Sequence, residues 1–309
     1  MAGTNTTLDR NAHPTRSPTN INIWQQNVNR SSTCQHALIS SAALMRRGID
    51  IVALQEPSIN NFSTTVAARE WTPVYPSTHN AEPTKTRSLL LIRSNMLTDN
   101  WKQIDFPSGD VTIITIHGSG GDLTIYNIYN DCKTNATIHQ LELFARAVAA
   151  TSSQGNANST DTQPIIWLGD FNRHHPHWDD PADTRLFTRL AIQNAEILIS
   201  AVADLGLDMV LPPGIPTHLH NVSKKWMRLD QVFISEEYTD AILACEALAD
   251  GPGVNTDHLP ILTSLDLDLA RILTNPPKNF RNVDWEEFKK ALADRLDSIP
   301  PPLRDKNLR

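Results

Sequence analysis

The sequence predicts an α/β protein built as a four-layer sandwich, with two packed mixed β-sheets flanked by helices. Three observations carry this. Strand-like runs alternate with helical ones from Ile21 to about Leu267. Two of the strands, Ile51–Gln55 and Ile165–Leu168, are near-continuous apolar runs suited to burial on both faces. Hairpins also occur beside crossovers, and the strands are too many for one open sheet.

The elements follow in order. Residues 1–20 are Thr/Asn-rich, contain Pro14 and Pro18, and read as a disordered lead-in. Ile21–Val28 alternates as a strand, and Ala37, Leu38, Leu44 and Met45 then lie near helical spacing with Gly48 just past the helix end. Ile51–Gln55 and Leu89–Ile92 are strands. Val111–Ile116 and Leu123–Tyr129 form a hairpin across the Gly118–Asp122 turn. Leu141, Phe144, Ala145 and Val148 make the stripe of a helix over Thr137–Ala150, and Thr151–Gln163 reads as a surface loop. After Ile165–Leu168 come a helix from about Thr184 to Leu205 and two closing strands, Trp226–Ile234 and Ile261–Leu267. The core domain thus spans 21–268. Residues 269–309 read as a linker with a last helix, which Asp284 and Glu287 cap and Pro300-Pro301-Pro302 ends.

Composition narrows the function. No run reaches the apolar length of a membrane span, and the N-terminus lacks the apolar core of a secretory signal. The expected location is nuclear or cytoplasmic, not secreted. Three scattered cysteines, Cys34, Cys132 and Cys245, suit neither a disulfide framework nor a zinc site and read as small buried apolar residues. With 27 Lys plus Arg against 34 Asp plus Glu, the net charge is −7. That excludes a generally basic nucleic-acid binder, though not an enzyme with a local basic patch.

Polar residues fall at the ends of strands. Asn27 and Asn29 follow the first, Glu56 the second, Tyr129 the hairpin, and Asp170 and Asn172 the 165–168 strand. Asp230 lies inside an apolar strand, and Asp257-His258 precedes the last one. Each alone reads equally as a turn residue. Together they can converge, because ligand sites of α/β sheets gather at strand ends. A carboxylate in an apolar strand needs a buried partner, and His258 is the candidate for Asp230.

Six strings, QNVNR (26–30), LQEP (54–57), IYN (128–130), GDFN (169–172), RLDQVFIS (228–235) and TDHLPI (256–261), resemble in content and order the endonuclease/exonuclease/phosphatase superfamily. LQEP and GDFNRHHPHW (169–178) look most like the endonuclease domain of non-LTR, Jockey-like retrotransposons. The resemblance implies metal-dependent nicking of DNA that leaves a 3′-OH for target-primed reverse transcription. Mg²⁺, with Mn²⁺ as substitute, would be held by Glu56, Asn27 and Asp257. Asp170 with Asn172 would activate water, His258 held by Asp230 would contact the phosphate, and Tyr129 would assist. His174, His175 and His177 fit no standard zinc spacing and read as a loop near the site.

DNA contact is expected from Lys224, Lys225, Arg228 and Arg173, with Trp226 stacking and Lys85 and Arg87 on the same rim. No polymerase-like Tyr/Phe-x-Asp-Asp string occurs, so the expectation is a truncated or domain-only copy, or a host gene derived from one, with a reverse transcriptase domain as a candidate partner in the full-length element. The rival readings are a cellular abasic-site nuclease, a phosphoesterase of the same superfamily, and a silent binding relic. LQEP, HHPHW and the complete set of polar residues favour the first reading over these.

Overall fold

Two right-sized crossovers set the architecture. In the first, β1 (Asn20–Asn27) leads through α1 (Ser32–Ile39) and α2 (Ala42–Arg46) to β2 (Ile51–Gln55), which pairs with β1 in parallel. The computed structural model describes residues 20–66, 68–96, 98–118, 121–155, 163–248 and 253–266, together with 286, 289, 290 and 292. The remaining strands of the first half are β3 (Trp71–Val74), β4 (Ser88–Arg93), β5 (Trp101–Ile104), β6 (Val111–Gly118) and β7 (Gly121–Tyr129). The second crossover runs from β7 through α3 (Ala136–Gly155) to β8 (Ile165–Asp170), again in parallel. Then come α4 (Arg189–Asp204), β9 (Leu207–Met209), β10 (His218–Leu219), β11 (Trp226–Met227), β12 (Asp230–Ser235), β13 (Ile242–Ala247) and β14 (Ile261–Asp266).

The strands make two six-stranded sheets, ordered β13-β14-β1-β2-β4-β3 and β5-β6-β7-β8-β12-β9, plus the small β10-β11 hairpin. Each large sheet has one parallel pair at its centre and antiparallel strands outside, so both are mixed as expected. Alternation along the strands divides the apolar residues among three layers. Ile23, Ile51, Leu90, Ile114, Ile125, Ile166, Val232 and Ile261 fill the space between the sheets. Val111, Ile128, Trp167 and Phe233 pack outward with Ile138 and Leu141 of α3 and Ala195 and Leu198 of α4. Val52, Leu54, Leu89 and Leu91 pack outward with Cys34, Leu38 and Leu44 of α1 and α2. Burial of these side chains at about 25 cal/mol per Å² is the main driving force of the fold.

Several expected boundaries move, each for a local reason. The single helix expected around Ala37–Met45 is two, because Ser31 and Ser41 each turn a side-chain oxygen onto a backbone N–H and start a new helix. α3 continues to Gly155, into what reads as the Thr151–Gln163 loop. α4 begins at Arg189, behind the capping hydroxyl of Thr188, and 184–186 form a separate short turn. The strand expected over Trp226–Ile234 breaks at Arg228-Leu229, where the Arg228 N–H donates to Asp179 and the Leu229 and Asp230 N–H groups donate to Thr217 Oγ1. β3, β5, β9, β10 and β13 escape the sequence pattern, being short or half-exposed, and Pro73 sits in β3 at the sheet edge. Cys34 is buried, while Cys132 is exposed and so is not the buried residue its type suggests.

By its contacts the chain divides into Met1–Ile272 and Leu273–Arg309. In the second unit, 286, 289, 290 and 292 are helical; the Asp284 cap and the Pro300–Pro302 stop lie outside the described residues, as does the 1–19 lead-in. Among the described residues no helix is long and apolar enough to cross a membrane.

The parallel pairs fix where the site falls. In the first sheet Asn27 aligns with Gln55, and in the second Tyr129 aligns with Asp170, so each pair ends on a polar level. Gly169 makes that second alignment attainable. It holds φ at 149°, and a Cβ there would fall inside the van der Waals shell of the Ile128 carbonyl on the neighbouring strand. Gly169→Ala is therefore expected to lower stability by about 3 kcal/mol or more, read as a shift of the urea unfolding midpoint. A variant as stable as the wild type would show that β7 and β8 can separate without loss.

Candidate active site

Asp170 ends β8 and is almost completely buried, so its carboxylate requires partners. Asn27, at the end of β1 in the other sheet, donates from Nδ2 to Asp170 Oδ2 over 2.9 Å. The backbone N–H of Asn172 donates to Asp170 Oδ1 over 3.0 Å, in an Asx turn for which Asn172 adopts φ 51°. Asn172 in turn donates from Nδ2 to Asn130 O, and Asn130 donates to Phe171 O, so the GDFN turn is fastened to the end of β7.

Across the sheet, Asp230 opens β12 directly opposite Asp170. His258 donates from Nδ1 to Asp230 Oδ2 over 2.9 Å, which supplies the buried partner that the strand carboxylate demands. His258 Nε2 then stands 3.9 Å from Asp170 Oδ2 and 3.9 Å from Asp257 Oδ1. Both gaps exceed a hydrogen bond, so that nitrogen faces a space bordered by two carboxylates. The main chain of this loop is also held: Gln26 Nε2 donates to His258 O, and Thr256 Oγ1 donates to Asn27 O.

Glu56 follows β2 with φ 47°, a left-handed conformation that disfavours a side chain with a Cβ. Its N–H donates to Arg87 O and its carbonyl accepts from Arg30 N–H, so the backbone on both sides holds the turn. The charge of the nearby Glu56 carboxylate opposes ionisation of the Tyr129 hydroxyl. Arg87 lies over the Tyr129 ring, 4.7 Å from its centroid, and is itself gripped by Asp110 and Asp131 at 2.5–2.7 Å.

The charges are unbalanced. Burial raises the Asp170 carboxyl well above the ordinary carboxylate range and the Asp230 charge adds to it; His258 and the bonds from Asn27 and Asn172 pull the other way. Burial opposes a charged His258, and the carboxylates of Asp230, Asp170 and Asp257 overcome it, so the imidazole is held above its usual range. Burial, then the Glu56 and Asp170 charges, raise the Tyr129 hydroxyl far above a free phenol. Asp257 is held low by its bond from His218.

Among the described residues two clusters have the reach of a metal site, Asp170–Asp230–His258 and His218–Asp257–His258. Four carboxylates, Glu56, Asp170, Asp230 and Asp257, supply hard oxygen donors, and Asp230 Oδ1 is buried without a hydrogen-bond partner among the described residues. The residues therefore fit a hard divalent cation, which the accumulated negative charge favours.

The structure brings together Asn27, Glu56, Tyr129, Asp170, Asn172, Asp230, Asp257 and His258, from both sheets and over two hundred residues of chain. Asn27, expected among metal ligands, spends Nδ2 on Asp170 and receives the Asn29 N–H on Oδ1, so in this arrangement its amide orients Asp170. Arg173 and Arg228, expected on a basic rim, are buried instead. Arg173 donates to Asn135 Oδ1 and to the carbonyls of Asn172, Asp131 and Thr134. Arg228 donates to the carbonyls of Leu211 and Pro212. Both bind backbone turns rather than face solvent. Arg87 is likewise committed to its two aspartates and Lys85 pairs with Glu82. Lys224 and Lys225 are exposed, and Trp226 is 42% exposed beside them on the β10-β11 hairpin.

The HHPHW loop is structural where it is described. His174 lies 3.2 Å from Asp179, whose carboxylate also accepts from the N–H groups of His175 and Arg228, and the three histidines form no metal-holding group among the described residues. Sequence reading missed Thr217, Asn130, Thr256 and His218. Thr217, Thr256 and His218 stand at no long strand's end, and Asn130, which directly follows β7, was passed over beside Tyr129.

The comparisons agree with this geometry. Residues 123–262 match the family model described as endonuclease-reverse transcriptase. No curated protein sequence is significantly similar to the chain. Among solved structures it is similar to the endonuclease domain of TRAS1, a telomere-specific non-LTR retrotransposon, at 16% identity and a TM-score of 0.57, covering 79% of this chain and 98% of that one. It is similar to the AP endonuclease of Leishmania major at 11% identity and a TM-score of 0.62, covering 86% and 92%. A 3′-5′ exonuclease from Neisseria meningitidis matches at 18% identity and a TM-score of 0.57, covering 80% and 100%.

The burial of Arg173 has a measurable consequence. Arg173→Met is expected to lower stability by about 3 kcal/mol, because it strips several buried carbonyl and amide oxygens of their donor. A surface cation removed in the same way changes stability by no more than about 0.5 kcal/mol, so urea unfolding separates the two placements.

Proposed function

We propose that this chain is a member of the endonuclease/exonuclease/phosphatase superfamily and a metal-dependent endonuclease that nicks DNA. The observation that carries the reading is the convergence at one end of both sheets: a buried carboxylate in need of a proton partner, and an Asp-held imidazole whose Nε2 faces open space 3.9 Å from two carboxylates. The relatives in structure point the same way, since their names describe a retrotransposon endonuclease domain, an AP endonuclease and a 3′-5′ exonuclease.

Glu56 and Asp257 would hold Mg²⁺ or Mn²⁺, and such an ion would supply Lewis-acid stabilisation of charge developing on the phosphate. Asp170 takes the proton of the attacking water, a role suited to a carboxylate whose proton affinity is raised by burial and by Asp230. The Asn172 N–H and the Asn27 amide fix its two oxygens, so that it presents one orientation to the water. The water oxygen bonds to phosphorus as the P–O3′ bond breaks, and the 3′ oxygen takes up a proton. His258 donates from Nε2 to a non-bridging oxygen as negative charge grows there, while Asp230 keeps the ring turned and charged. Tyr129, beside Glu56 and Arg87, contacts the same phosphate.

A cut of this kind leaves the 3′-OH that a reverse transcriptase domain needs as primer, and the matching family model joins the two activities in its description. Lys224 and Lys225, with Trp226 beside them, are the basic and aromatic groups that would meet the DNA backbone and a base step.

Purified protein is expected to nick supercoiled plasmid with Mg²⁺, to stop with EDTA, and to lose about a thousandfold in rate on Asp170→Ala. A mutant as active as the wild type would sink the assignment of Asp170. Lys224→Ala with Lys225→Ala is expected to weaken duplex binding and to reduce the slope of log K against log salt by about 1 to 2. An unchanged slope would place the DNA on another face.

A further inference from the structure

His218 belongs to none of the six motifs, yet it lies against the reactive space. It stands at the foot of the β10-β11 hairpin, in an isolated bridge with His258. Leu219 N–H donates to Asp257 O over 2.8 Å and Leu259 N–H donates to Thr217 O over 2.7 Å, so the hairpin is bonded to the segment before β14 on both sides of His258.

The side chains repeat the connection. His218 Nε2 is 3.4 Å from Asp257 Oδ2, and Asn221, higher on the same hairpin, donates from Nδ2 to that oxygen over 2.7 Å. The His218 and His258 rings lie 4.6 Å apart. His218 Nδ1 is buried without a partner among the described residues, so the polar contact of the ring is the one with Asp257.

Two groups on the hairpin thus occupy Asp257 Oδ2 and leave Oδ1 facing His258 Nε2 at 3.9 Å. A carboxylate released from that hold would close on the imidazole N–H, since attraction and geometry both favour a charge-assisted bond near 2.8 Å. The N–H would then be spent on Asp257 rather than on a phosphate oxygen.

We infer that His218 is a positioning residue that, with Asn221, holds Asp257 away from His258 and keeps the His258 Nε2–H free for the substrate. It thereby joins the hairpin bearing Lys224, Lys225 and Trp226 to the group that meets the phosphate. The inference rests on the nuclease reading above and goes beyond it by naming what keeps His258 available.

The test is steady-state nicking of duplex DNA by His218→Phe, which keeps a ring against His258 and removes the donor, and by His218→Gln, which returns a donor at similar reach. His218→Phe is expected to lower kcat by about tenfold or more with KM within about twofold of wild type, and His218→Gln to recover most of the loss. In an Asp257→Asn background, where the drive to close is gone, His218→Phe should add less than about twofold. Asn221→Ala, an exposed change, should lower kcat in the same direction by a smaller factor, and it reads the same contact if His218→Phe does not fold. Unchanged kcat in these variants, or losses that simply multiply in the Asp257→Asn background, would overturn the inference while leaving the nuclease intact. A wild-type protein that nicks no DNA overturns the nuclease reading and this inference with it.

Discussion

The structure depends on buried polar bonds between the two sheets at the level where their parallel strands end. Apolar residues alone would let the sheets slide, because burial is non-directional. Asn127 on β7 prevents this: its Nδ2 donates to the carbonyls of Leu54 and Leu89 in the opposite sheet, and its Oδ1 accepts from Gln55. Ser88 adds bonds to Thr112 and to the Asn127 carbonyl. One level further along, the Asn27–Asp170 bond makes the same connection inside the site. Glu56 comes directly after Gln55, and Tyr129 two residues after Asn127, so this fastening sets the distance between the halves of the site. Gln55, which bonds Asn127, is aligned within its sheet with Asn27, which bonds Asp170, so the two fastenings lie on neighbouring strands as a polar seam.

That seam explains where the strain and the charge are placed. Beyond the seam, Glu56 and Asn172 both take left-handed backbone conformations, one and two residues past a central strand of each sheet. Asn tolerates this conformation readily, whereas a Glu there costs roughly 1–2 kcal/mol that its backbone bonds to Arg30 and Arg87 must offset. The electrostatic strain is of the same kind. A fully buried Asp170 beside Asp230 is unfavourable unless something positive or polar attends it, and His258, Asn27 and the Asn172 N–H do so only in part. An active centre of this type is stable because the surrounding sheet is rigid, and reactive because its own charges are not satisfied.

Much of this was legible in the sequence, and what was not has a common cause. The sandwich, the mixed sheets and the long helices follow from periodicity, and the polar residues at strand ends converge as the strand-end rule implies. Asp230 was legible because a carboxylate in an apolar strand demands a partner. Charge sign, by contrast, says little about placement. Arg173 and Arg228 read as surface cations, but their guanidiniums reach back to satisfy carbonyls of the turns around 131–135 and 211–212. Such bonds depend on the path of a loop, which no local spacing encodes. The short strands β9, β10 and β13 escaped for a related reason, since long-range pairing rather than residue pattern makes them strands.

The β10-β11 hairpin shows what this means for chemistry. Its strands are two residues each, and it pairs with neither large sheet as a regular strand. It is held by Thr217, whose hydroxyl accepts from Leu229 and Asp230 N–H groups, and by bonds to the main chain around His258. The hairpin is fastened at its foot and, through Asn221, from its tip to Asp257, while Lys224, Lys225 and Trp226 stay exposed. Because the same Thr217 supports Asp230 from below and the neighbouring His218 contacts Asp257 from the side, displacement of the tip has a mechanical route to His258. A hairpin of ten residues, rather than either large sheet, therefore joins the exposed Lys224, Lys225 and Trp226 to the main chain beside His258.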